Sequence, residues 1–180
     1  MENSSPEHPW HRAVRLAGEL FIALGLACLA TLFLNTFVAH AVSIDQGPSM
    51  QPNLYRGDRV MIEKISLNFG APRRGDIVVV SRPSEPISLI KRVLALPGER
   101  IEVRRGHTLI DGVQLAEPWV AYFGGPDFPA TLVPRDHVFI LGDNRAESRD
   151  SRMIGPVRLS EIKGRVLFIY WPPEHVGMAP

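Results

Sequence analysis

Cysteine is almost absent from the sequence, and this scarcity limits the chemistry open to the protein. The chain has one cysteine, Cys28. A single thiol can form no intramolecular disulfide and cannot supply the paired thiolates of a cysteine-based metal site. Histidines and carboxylates are not grouped at the spacing of zinc ligands either. We therefore expect a protein that needs neither a metal nor another cofactor.

A large charge of one sign is also missing. The formal net charge is +1, and the 20 lysines and arginines are spread along the chain instead of forming one stripe. Domains that bind nucleic acid usually present a basic patch, so we expect no nucleic-acid partner. The sequence contains no internal repeats and no low-complexity runs.

The apolar residues that the sequence does have are concentrated near the N-terminus. Residues 20–42 read LFIALGLACLATLFLNTFVAHAV, without Asp, Glu, Lys or Arg. Because a helix rises about 1.5 Å per residue, roughly 20 residues cross the ~30 Å hydrocarbon core of a bilayer. The run therefore predicts a transmembrane helix that anchors the protein.

Two other interpretations of this apolar run are open. A buried core helix usually has a polar face, which the run lacks. A cleaved secretory signal is suggested by Ala39-His40-Ala41, which looks like a small-x-small cleavage site. However, the apolar region of such a signal is typically about 7–15 residues long, and this one is longer. We therefore favour the anchor.

Basic residues flank the apolar run unevenly. Arg12 and Arg15 precede it, whereas the first basic residue after it is Arg56. Because Lys and Arg favour the cytoplasmic side of a span, we expect a single-pass protein of the cell membrane with a cytoplasmic N-terminus. The predicted segments are a cytoplasmic tail and helix start at 1–19, the anchor at 20–42, and an extracytoplasmic domain at 43–180.

The rest of the chain has the pattern of a β protein. Short apolar runs alternate with turn residues, and the sequence has 15 glycines and 16 prolines. Such runs, about 4–8 residues long, are typical of strands. We therefore expect a mainly β, antiparallel domain. The predicted strands are 58–65, 77–80, 87–96, 101–103, 108–110, 113–115, 138–141 and 165–170.

A serine in a stiff turn follows the apolar run, in the sequence Gly47-Pro48-Ser49-Met50-Gln51-Pro52. Glycine and proline restrict the chain around Ser49, so that its hydroxyl and its backbone N–H can both face a substrate. Most serines in such turns are simply turn residues. Ser49 is therefore a candidate nucleophile only if a base lies near it.

A candidate base lies in the predicted strand at 87–96. Side chains alternate along a strand, which places Lys91 on the same face as Leu89 and Val93. Burial on an apolar face lowers the pKa of a lysine, and a neutral amine can take the proton of a serine hydroxyl. Serine–lysine pairs are a known variant of the catalytic triad. The alternative is that the Lys91 amine extends to the surface.

Two further features bear on this chemistry. His107 and His137 are alternative bases, although neither lies in a triad-like sequence context. Residues 142–152, of sequence GDNRAESRDSR, form a dense polar segment directly after an apolar strand. Such a segment is either a solvated loop or a network of hydrogen bonds and ion pairs that holds a site rigid.

Taken together, these segments resemble bacterial type I signal peptidase, also called leader peptidase. The resemblance covers nearly the whole chain after the tail, in the family's order. The motifs that carry it are Ser49-Met50-Gln51-Pro52, Arg74-Gly75-Asp76-Ile77-Val78-Val79, Lys91-Arg92-Val93-Leu94-Ala95-Leu96-Pro97-Gly98-Glu99 and residues 142–152. The resemblance implies a β catalytic domain of the signal peptidase type, with a small inserted β region at 101–135.

The function that the resemblance implies is that of a membrane-anchored serine endopeptidase. It would cleave signal peptides from exported preproteins after small-x-small sites, with the preprotein and the lipid bilayer as partners. Ser49 would attack the scissile carbonyl, Lys91 would take its proton, and Ser148 would hydrogen-bond the Lys91 amine. Some family members have a serine as an oxyanion donor two residues before the nucleophile. Here that residue is Gly47, so a backbone group must serve beside the Ser49 N–H.

Further residues acquire roles from the same resemblance. The ion pairs that would brace the site are Asp143 with Arg92 and Asp150 with Arg152. The residues that would contact the substrate are Met50, Pro52 and Ala95, of which Ala95 stands where glycine is usual and narrows the pocket. Asn53 stands where threonine is common. The aromatic residues Trp119, Tyr122 and Phe123 would either enter the lipid interface or fill a small core.

Other functions remain open at this stage. A different serine–lysine processing protease, from a specialised secretion or conjugation system, would share the dyad. A catalytically inactive, membrane-anchored binding module and a purely structural membrane β-protein are alternatives from other classes. A further hypothesis is that the enzyme cuts itself after Ala41.

Overall fold

A computed structural model describes residues 9–33, 39–45, 47–68, 70–85 and 87–179. The chain divides into two compact units, Met1–Val38 and Ala39–Pro180. The first unit contains one long helix and the second contains all of the strands.

The helix α1 spans Pro9–Phe33. Its segment Arg12–Leu32 has a mean hydropathy of 1.8 and none of it is buried within the protein, so by length and composition it can cross a membrane. The polar hydroxyl of Thr31 donates within the helix to the carbonyl of Ala27, at 2.9 Å. A hydroxyl bonded in this way can be accommodated in an apolar environment.

The helix begins at Pro9, within the segment 1–19 that was expected to contain its start. The structure differs from the predicted anchor at its C-terminal end, where the chain is already a strand, β1, over Ala39–Ser43. Backbone pairing with the next strand holds these residues in the β unit. Residues 1–8 of the predicted tail, and Asn35 and Thr36 of the predicted span, lie outside the described residues.

The second unit contains a large antiparallel sheet and a small one. The strands of the large sheet are β1 (Ala39–Ser43), β2 (Arg59–Glu63), β3 (Ile77–Val80), β4 (Leu89–Ala95), β9 (His137–Leu141), β10 (Val157–Arg158), β11 (Ile162–Trp171) and β12 (Gly177–Met178). Those of the small sheet are β5 (Arg100–Arg104), β6 (His107–Ile110), β7 (Val113–Gln114) and β8 (Phe128–Leu132). A one-turn helix α2 spans Ser151–Ile154.

The large sheet has the order β1-β2-β11-β3-β4-β9-β10, with β12 paired to β11. Strand β4 lies inside it, since β3 pairs with one edge and β9 with the other. All seven residues of β4 are buried. A side chain that leaves this strand therefore has protein on every side, which sets the environment of Lys91.

The small sheet has the order β7-β6-β5-β8 and falls within the region predicted as an insertion. Its inward side chains share one apolar cluster with the large sheet. That cluster contains Leu94, Ala95, Ile101, Val103, Val133, Phe139 and Leu141. The two sheets are thus joined by a continuous core next to β4.

The predicted fold class, an N-terminal apolar helix followed by a mainly antiparallel β domain, is confirmed. Four strands were not expected from the sequence, β1, β8, β10 and β12. Two of them have only two residues, β8 contains a proline, and β1 was assigned to the apolar span. In β1, Ala41 pairs with Met61 of β2. The bond after Ala41 therefore lies in a hydrogen-bonded strand, where a protease cannot take it up in an extended form without first detaching the strand.

Candidate active site

The candidate nucleophile lies in a short 3-10 turn. Pro48–Met50 form this turn, which the Gln51 N–H closes by donating to the Pro48 carbonyl at 3.0 Å. Met50 is 3% exposed and packs into the apolar cluster below, which fixes the turn to the core. Ser49, in the middle of the turn, is itself only 8% exposed.

Lys91 reaches Ser49 from the buried strand β4. Its Nζ lies 2.8 Å from Ser49 Oγ and 2.9 Å from the carbonyl oxygen of Ile90. Lys91 is 1% exposed, so water does not compete for its amine. The sequence predicted that Ser49 and Lys91 form a pair. In the structure the two side chains are joined by a direct hydrogen bond in a site shielded from water.

The surroundings of Lys91 change its titration. Burial lowers its pKa from 10.5 to about 8, against a smaller opposite effect of the Asp150 and Asp143 carboxylates, which raise the pKa. With a pKa of about 8, roughly a tenth of the amine is neutral at pH 7. A neutral amine is the form that can accept the serine proton.

The polar segment 142–152, which we call the polar loop, packs directly on the nucleophile turn. The backbone N–H of Asn144 donates to the carbonyl of Ser49 at 3.0 Å. A Cβ at Gly142 would collide with the side chain of Ser148 and with the Ser49 carbonyl oxygen. Glycine is thus required at residue 142 for the loop to come this close to the turn.

Ser148 does not form the hydrogen bond that the resemblance implied. Its Oγ is buried and has no hydrogen-bond partner among the described residues, while the second acceptor of the Lys91 amine is the Ile90 carbonyl. The Ser148 side chain lies in the space that a Cβ at Gly142 would need. Ser148 is therefore next to the nucleophile turn without holding the lysine.

The pair Arg92–Asp143 is formed as the resemblance implied. Arg92 Nε and Nη2 donate to the two carboxylate oxygens of Asp143 at 2.8 and 2.7 Å, and both side chains are 1% exposed. Because Arg92 follows Lys91 in the chain and Asp143 follows Gly142, this bidentate pair fastens the base strand to the polar loop. Bidentate pairs of this kind are strong and directional.

The pair Asp150–Arg152 is also formed, at 2.9 Å for both Nε to Oδ1 and Nη2 to Oδ2. Asp150 additionally accepts from the Gly142 N–H at 3.1 Å and caps α2 through the Arg152 N–H. Arg152 Nη2 donates to the Arg145 carbonyl at 2.8 Å. The loop is therefore tied to itself at its beginning, middle and end, and it is not a solvated loop.

Three residues of this network, Asn53, Glu117 and Arg145, were not assigned a role of their own from the sequence, and Trp119 was expected only at the lipid interface or in a small core. Asn53 donates through Nδ2 to Asp143 Oδ2 and to the Trp119 carbonyl, both at 2.8 Å. The Trp119 ring lies 4.7 Å from the Arg92 guanidinium carbon. Arg145 and Glu117 form a buried ion pair. The sequence did mark Asn53 as unusual, because it departs from the family motif. Glu117 and Arg145 are 28 residues apart, and no local pattern in the sequence links them.

Two predicted substrate contacts are buried in the core. Met50 is 3% exposed and Ala95 is 0% exposed, each inside an apolar cluster, because both side chains point inward from their turn or strand. Both are buried in this structure, and their contact with a substrate stays a prediction. Pro52 and Gly47 are exposed. No atom approaches within 4 Å of a Cβ built at Gly47.

The alternative bases and the aromatic residues have other contacts. The ring of His107 lies 4.5 Å from that of Phe123 in a tilted arrangement, and His137 Nδ1 lies 2.6 Å from Asp136 Oδ1. Trp119 packs against the core cluster that joins the two sheets, whereas Tyr122 and Phe123 are 51% and 45% exposed. The residue bonded to Ser49 Oγ is Lys91 and not a histidine.

A cleft lies at the start of β4, where Ile90, the residue before Lys91, forms part of its wall. Its volume is about 220 Å³ and its surface is mainly apolar. The residues that line it are Val42, Ser43, Asp45, Val79, Ile87, Ser88 and Ile90. Within the described part of the chain, no group of three or more His, Cys, Asp or Glu residues is arranged to hold a metal ion.

Comparison with known proteins gives consistent matches. A signal peptidase I of Leptolyngbya laminosa is 40% identical over 86% of this chain and 79% of its own length. A probable signal peptidase I-1 of Synechocystis sp. is 37% identical over 98% of this chain and 92% of its own. A crystal structure of a signal peptidase I from Enterococcus faecalis V583 matches 52% of this chain and 95% of its own, with 31% identity and a TM-score of 0.45.

A family model covers most of the chain as well. The model described as signal peptidase, peptidase S26, matches residues 17–171, which include the end of the helix, the dyad and the polar loop. The chain therefore belongs to the signal peptidase family, peptidase S26.

Proposed function

We propose that this protein is a membrane-anchored serine endopeptidase that removes signal peptides from exported preproteins, with Ser49 as nucleophile and Lys91 as general base. The observation that carries the proposal is the 2.8 Å contact between Lys91 Nζ and Ser49 Oγ, buried within the protein. A lysine held dry beside a serine is the arrangement that activates a weak nucleophile.

The reaction follows from the protonation states of the two residues. Neutral Lys91 accepts the hydroxyl proton as Ser49 Oγ attacks the scissile carbonyl, and a tetrahedral oxyanion forms. The lysine then gives this proton to the leaving amine, the C–N bond breaks, and an acyl-enzyme remains. Lys91, again neutral, takes a proton from water as the water oxygen attacks the ester carbonyl, and it returns that proton to Ser49 Oγ as the acyl C–O bond breaks and the carboxylic acid product leaves.

The oxyanion needs hydrogen-bond donors placed before the reaction begins. The first turn of a helix carries backbone N–H groups that the helix itself does not use, and Ser49 lies in such a turn. We assign its N–H as one donor. Each donor of an oxyanion hole supplies about 3 kcal/mol of transition-state stabilisation.

The substrate class follows from the cleft and from the family. The cleft that Ile90 lines is small and mainly apolar, which suits the short side chains of a small-x-small site. The helix α1 would anchor the enzyme in the cell membrane, with the N-terminus in the cytoplasm and the β domain outside, where signal peptides of exported preproteins emerge. The binding-module alternative is disfavoured because a binding surface has no need of a serine and a lysine in direct contact.

The test is the cleavage of a preprotein that carries an Ala-x-Ala site by the full chain in detergent. We expect cleavage after the second alanine by the wild type, and its loss in both Ser49→Ala and Lys91→Ala. Lys163→Ala, at an exposed lysine of β11, is the matched control and should cleave normally. No cleavage by a folded wild type would support the binding module. Activity that survives in Lys91→Ala would instead remove Lys91 as the base.

A further inference from the structure

The segment between β7 and β8 touches the polar loop along its length. We call residues 117–125 the linking segment. The Tyr122 carbonyl accepts from the Arg145 N–H at 2.9 Å, and Tyr122 forms an isolated parallel bridge with Asn144. The Gly124 carbonyl accepts from Arg152 Nη1 at 3.1 Å. The linking segment thus lies alongside the loop that packs on the nucleophile turn.

Glu117, at the start of the linking segment, forms the most buried contact of this group. It pairs with Arg145, and the two side chains are 3% and 0% exposed. Arg145 Nε donates to the Gly142 carbonyl at 3.1 Å, and Nη1 donates to the Gly106 carbonyl at 2.7 Å. Arg145 therefore connects the small sheet, through Gly106 and Glu117, to the first residue of the polar loop.

Thr108 of β6 completes the arrangement. Its Oγ1 donates to Glu117 Oε1 at 3.1 Å and accepts from Arg145 Nη1 at 3.2 Å, and its backbone N–H donates to Glu117 Oε2 at 3.2 Å. Thr108 is fully buried. Both carboxylate oxygens of Glu117 are thus saturated, which fixes the direction of the carboxylate and with it the Arg145 guanidinium.

Arg145 donates to the carbonyl of Gly142, and Gly142 directly precedes the two loop residues that contact Arg92 and Ser49. Gly142 is followed by Asp143, which grips Arg92 beside Lys91, and then by Asn144, whose N–H donates to the Ser49 carbonyl. A displacement of Gly142 would therefore move both catalytic residues relative to each other. A misplacement of about 1 Å at a catalytic centre can lower the rate by about 100-fold.

We propose that Glu117 is a positioning residue of the protease, which acts through Arg145 to hold the polar loop against the Ser49 turn and so keeps Ser49 and Lys91 in contact. The proposal rests on the proposed function of the dyad. Stability alone gives a weak reason for such a pair, because replacing a buried ion pair by apolar residues often leaves a protein equally stable. The inserted small sheet would then serve to fix the catalytic geometry.

The first test is Glu117→Gln, which keeps the size of the side chain and removes its charge. We expect kcat to fall at least about tenfold while KM stays within about twofold, because the loop moves and the cleft does not. Acylation of Ser49 by an active-site acylating inhibitor should slow by the same factor. Thr108→Val, which removes only one hydroxyl, should change kcat in the same direction to a smaller extent, and it decides the question if Glu117→Gln does not fold.

The matched control is Glu63→Gln. Glu63 also pairs with an arginine, Arg165, at 3.0 Å, but it lies on β2 and has no contact with the polar loop among the described residues. We expect kcat and the pH profile of this variant to remain those of the wild type. An equal loss of kcat in Glu63→Gln would overturn the proposal, because the loss of any ion pair would then be enough to lower kcat.

The pH profile separates positioning from a general loss of structure. The groups that face Lys91 are Ser49 and the carboxylates of Asp143 and Asp150, and its dry environment depends on the loop. If the loop loosens, water reaches the amine and its pKa rises toward 10.5. The acidic limb of kcat/KM should therefore move to higher pH in Glu117→Gln. Unchanged kcat and an unchanged limb in folded Glu117→Gln and Thr108→Val would overturn the proposal.

An activity-independent measurement distinguishes this proposal from the proposed function. Hydrogen exchange of the Asn144 amide, which donates to Ser49, should be faster in Glu117→Gln than in the wild type and unchanged in Glu63→Gln. If the wild type cleaves no preprotein and the exchange still quickens, the proposed function fails and the positioning role stands. Equal exchange in all three proteins would overturn the positioning role whatever the activity.

Discussion

At the scale of single residues, the properties of Lys91 determine how the enzyme responds to pH. Below its pKa of about 8 the amine is protonated and cannot accept the Ser49 proton. We therefore expect kcat/KM to rise with pH through about 8, with a slope of one on the acidic side. A pH–rate profile of preprotein cleavage measures this directly.

The control for this prediction is Lys91→Arg. A guanidinium does not lose its proton in this range, so the variant should be inactive at every pH at which the protein is folded. Substantial activity in Lys91→Arg, or a pH–rate profile of this variant that keeps the acidic limb of the wild type, would assign the titration to another group.

Gly47 offers a second test at the same scale. Its φ of −66° and ψ of −164° are open to any residue, and no atom lies within 4 Å of a Cβ built on it. A serine should therefore fit without strain, and its hydroxyl can add the oxyanion donor that some family members have. We expect Gly47→Ser to raise kcat by up to about tenfold at an unchanged melting temperature. Gly47→Ala is the control and should leave kcat as it is.

At the scale of elements, the contact between the polar loop and the nucleophile turn depends on one missing side chain. A methyl group at Gly142 would collide with the backbone of Ser49 as well as with Ser148. Because backbone cannot yield as a flexible side chain does, we expect Gly142→Ala to lower kcat about 100-fold and to destabilise the fold by about 2 kcal/mol. Kinetics and denaturant unfolding of the variant measure both effects.

The matched control for that variant is Gly70→Ala, at a glycine with open space around it and no positive φ. It should be normal in both activity and stability. A Gly142→Ala protein with wild-type kcat would mean that the loop can move away from the turn without loss.

The same elements explain what the sequence could predict. Strands β3, β4 and β9 consist mainly of β-branched and other apolar residues, with Lys91 and Arg92 as the charged exceptions in β4, so their positions follow from local pattern. The pairing of Ser49 with Lys91 was accessible because alternation along β4 places the lysine on an apolar face, and because the motifs resemble a known family. The burial of Met50 and Ala95 was missed, since a motif names residues and not the direction of their side chains.

The linking segment and its contacts were beyond the reach of the sequence for a physical reason. Glu117 and Arg145 are brought together by the packing of the small sheet on the polar loop, and although Arg145 lies in a conspicuous polar motif, nothing in the sequence around Glu117 marks it as the partner. Such a pair is decided by tertiary structure alone. The hydrogen bond between Ser148 and Lys91 is the opposite case. The resemblance implied this bond, but the Ser148 hydroxyl, which lies next to Gly142, does not form it in the structure.

At the scale of the whole molecule, the buried Lys91 amine has a cost in stability. Its pKa is about 8 in the folded protein and 10.5 when unperturbed, so between these values the unfolded chain binds more protons and stability rises with pH. Below about pH 8 both states are protonated and the full penalty, about 3 kcal/mol, is present. We expect Lys91→Met to raise the free energy of unfolding at pH 7 by about 2 kcal/mol and to remove its rise between pH 8 and 10.5.

Denaturant unfolding of the full chain in detergent, at pH 7 and at pH 10, measures this difference. Ser49→Ala serves as the control, because it inactivates the enzyme and leaves the buried amine in place. If Ser49→Ala and Lys91→Met gained the same stability, the gain would come from the loss of the hydroxyl and not of the charge.

The stacking of Trp119 against Arg92 gives the molecule an intrinsic optical reporter. The sequence contains three tryptophans, and the other two, Trp10 and Trp171, are 60% and 49% exposed. The Arg92 guanidinium carbon lies 4.7 Å from the centroid of the Trp119 ring, and a cation at this distance interacts with the π electrons of the indole. Its fluorescence therefore carries information on whether Arg92 is seated between Trp119 and Asp143. The assembly of the site can thus be followed in real time in the unlabelled enzyme, during refolding or as a preprotein arrives.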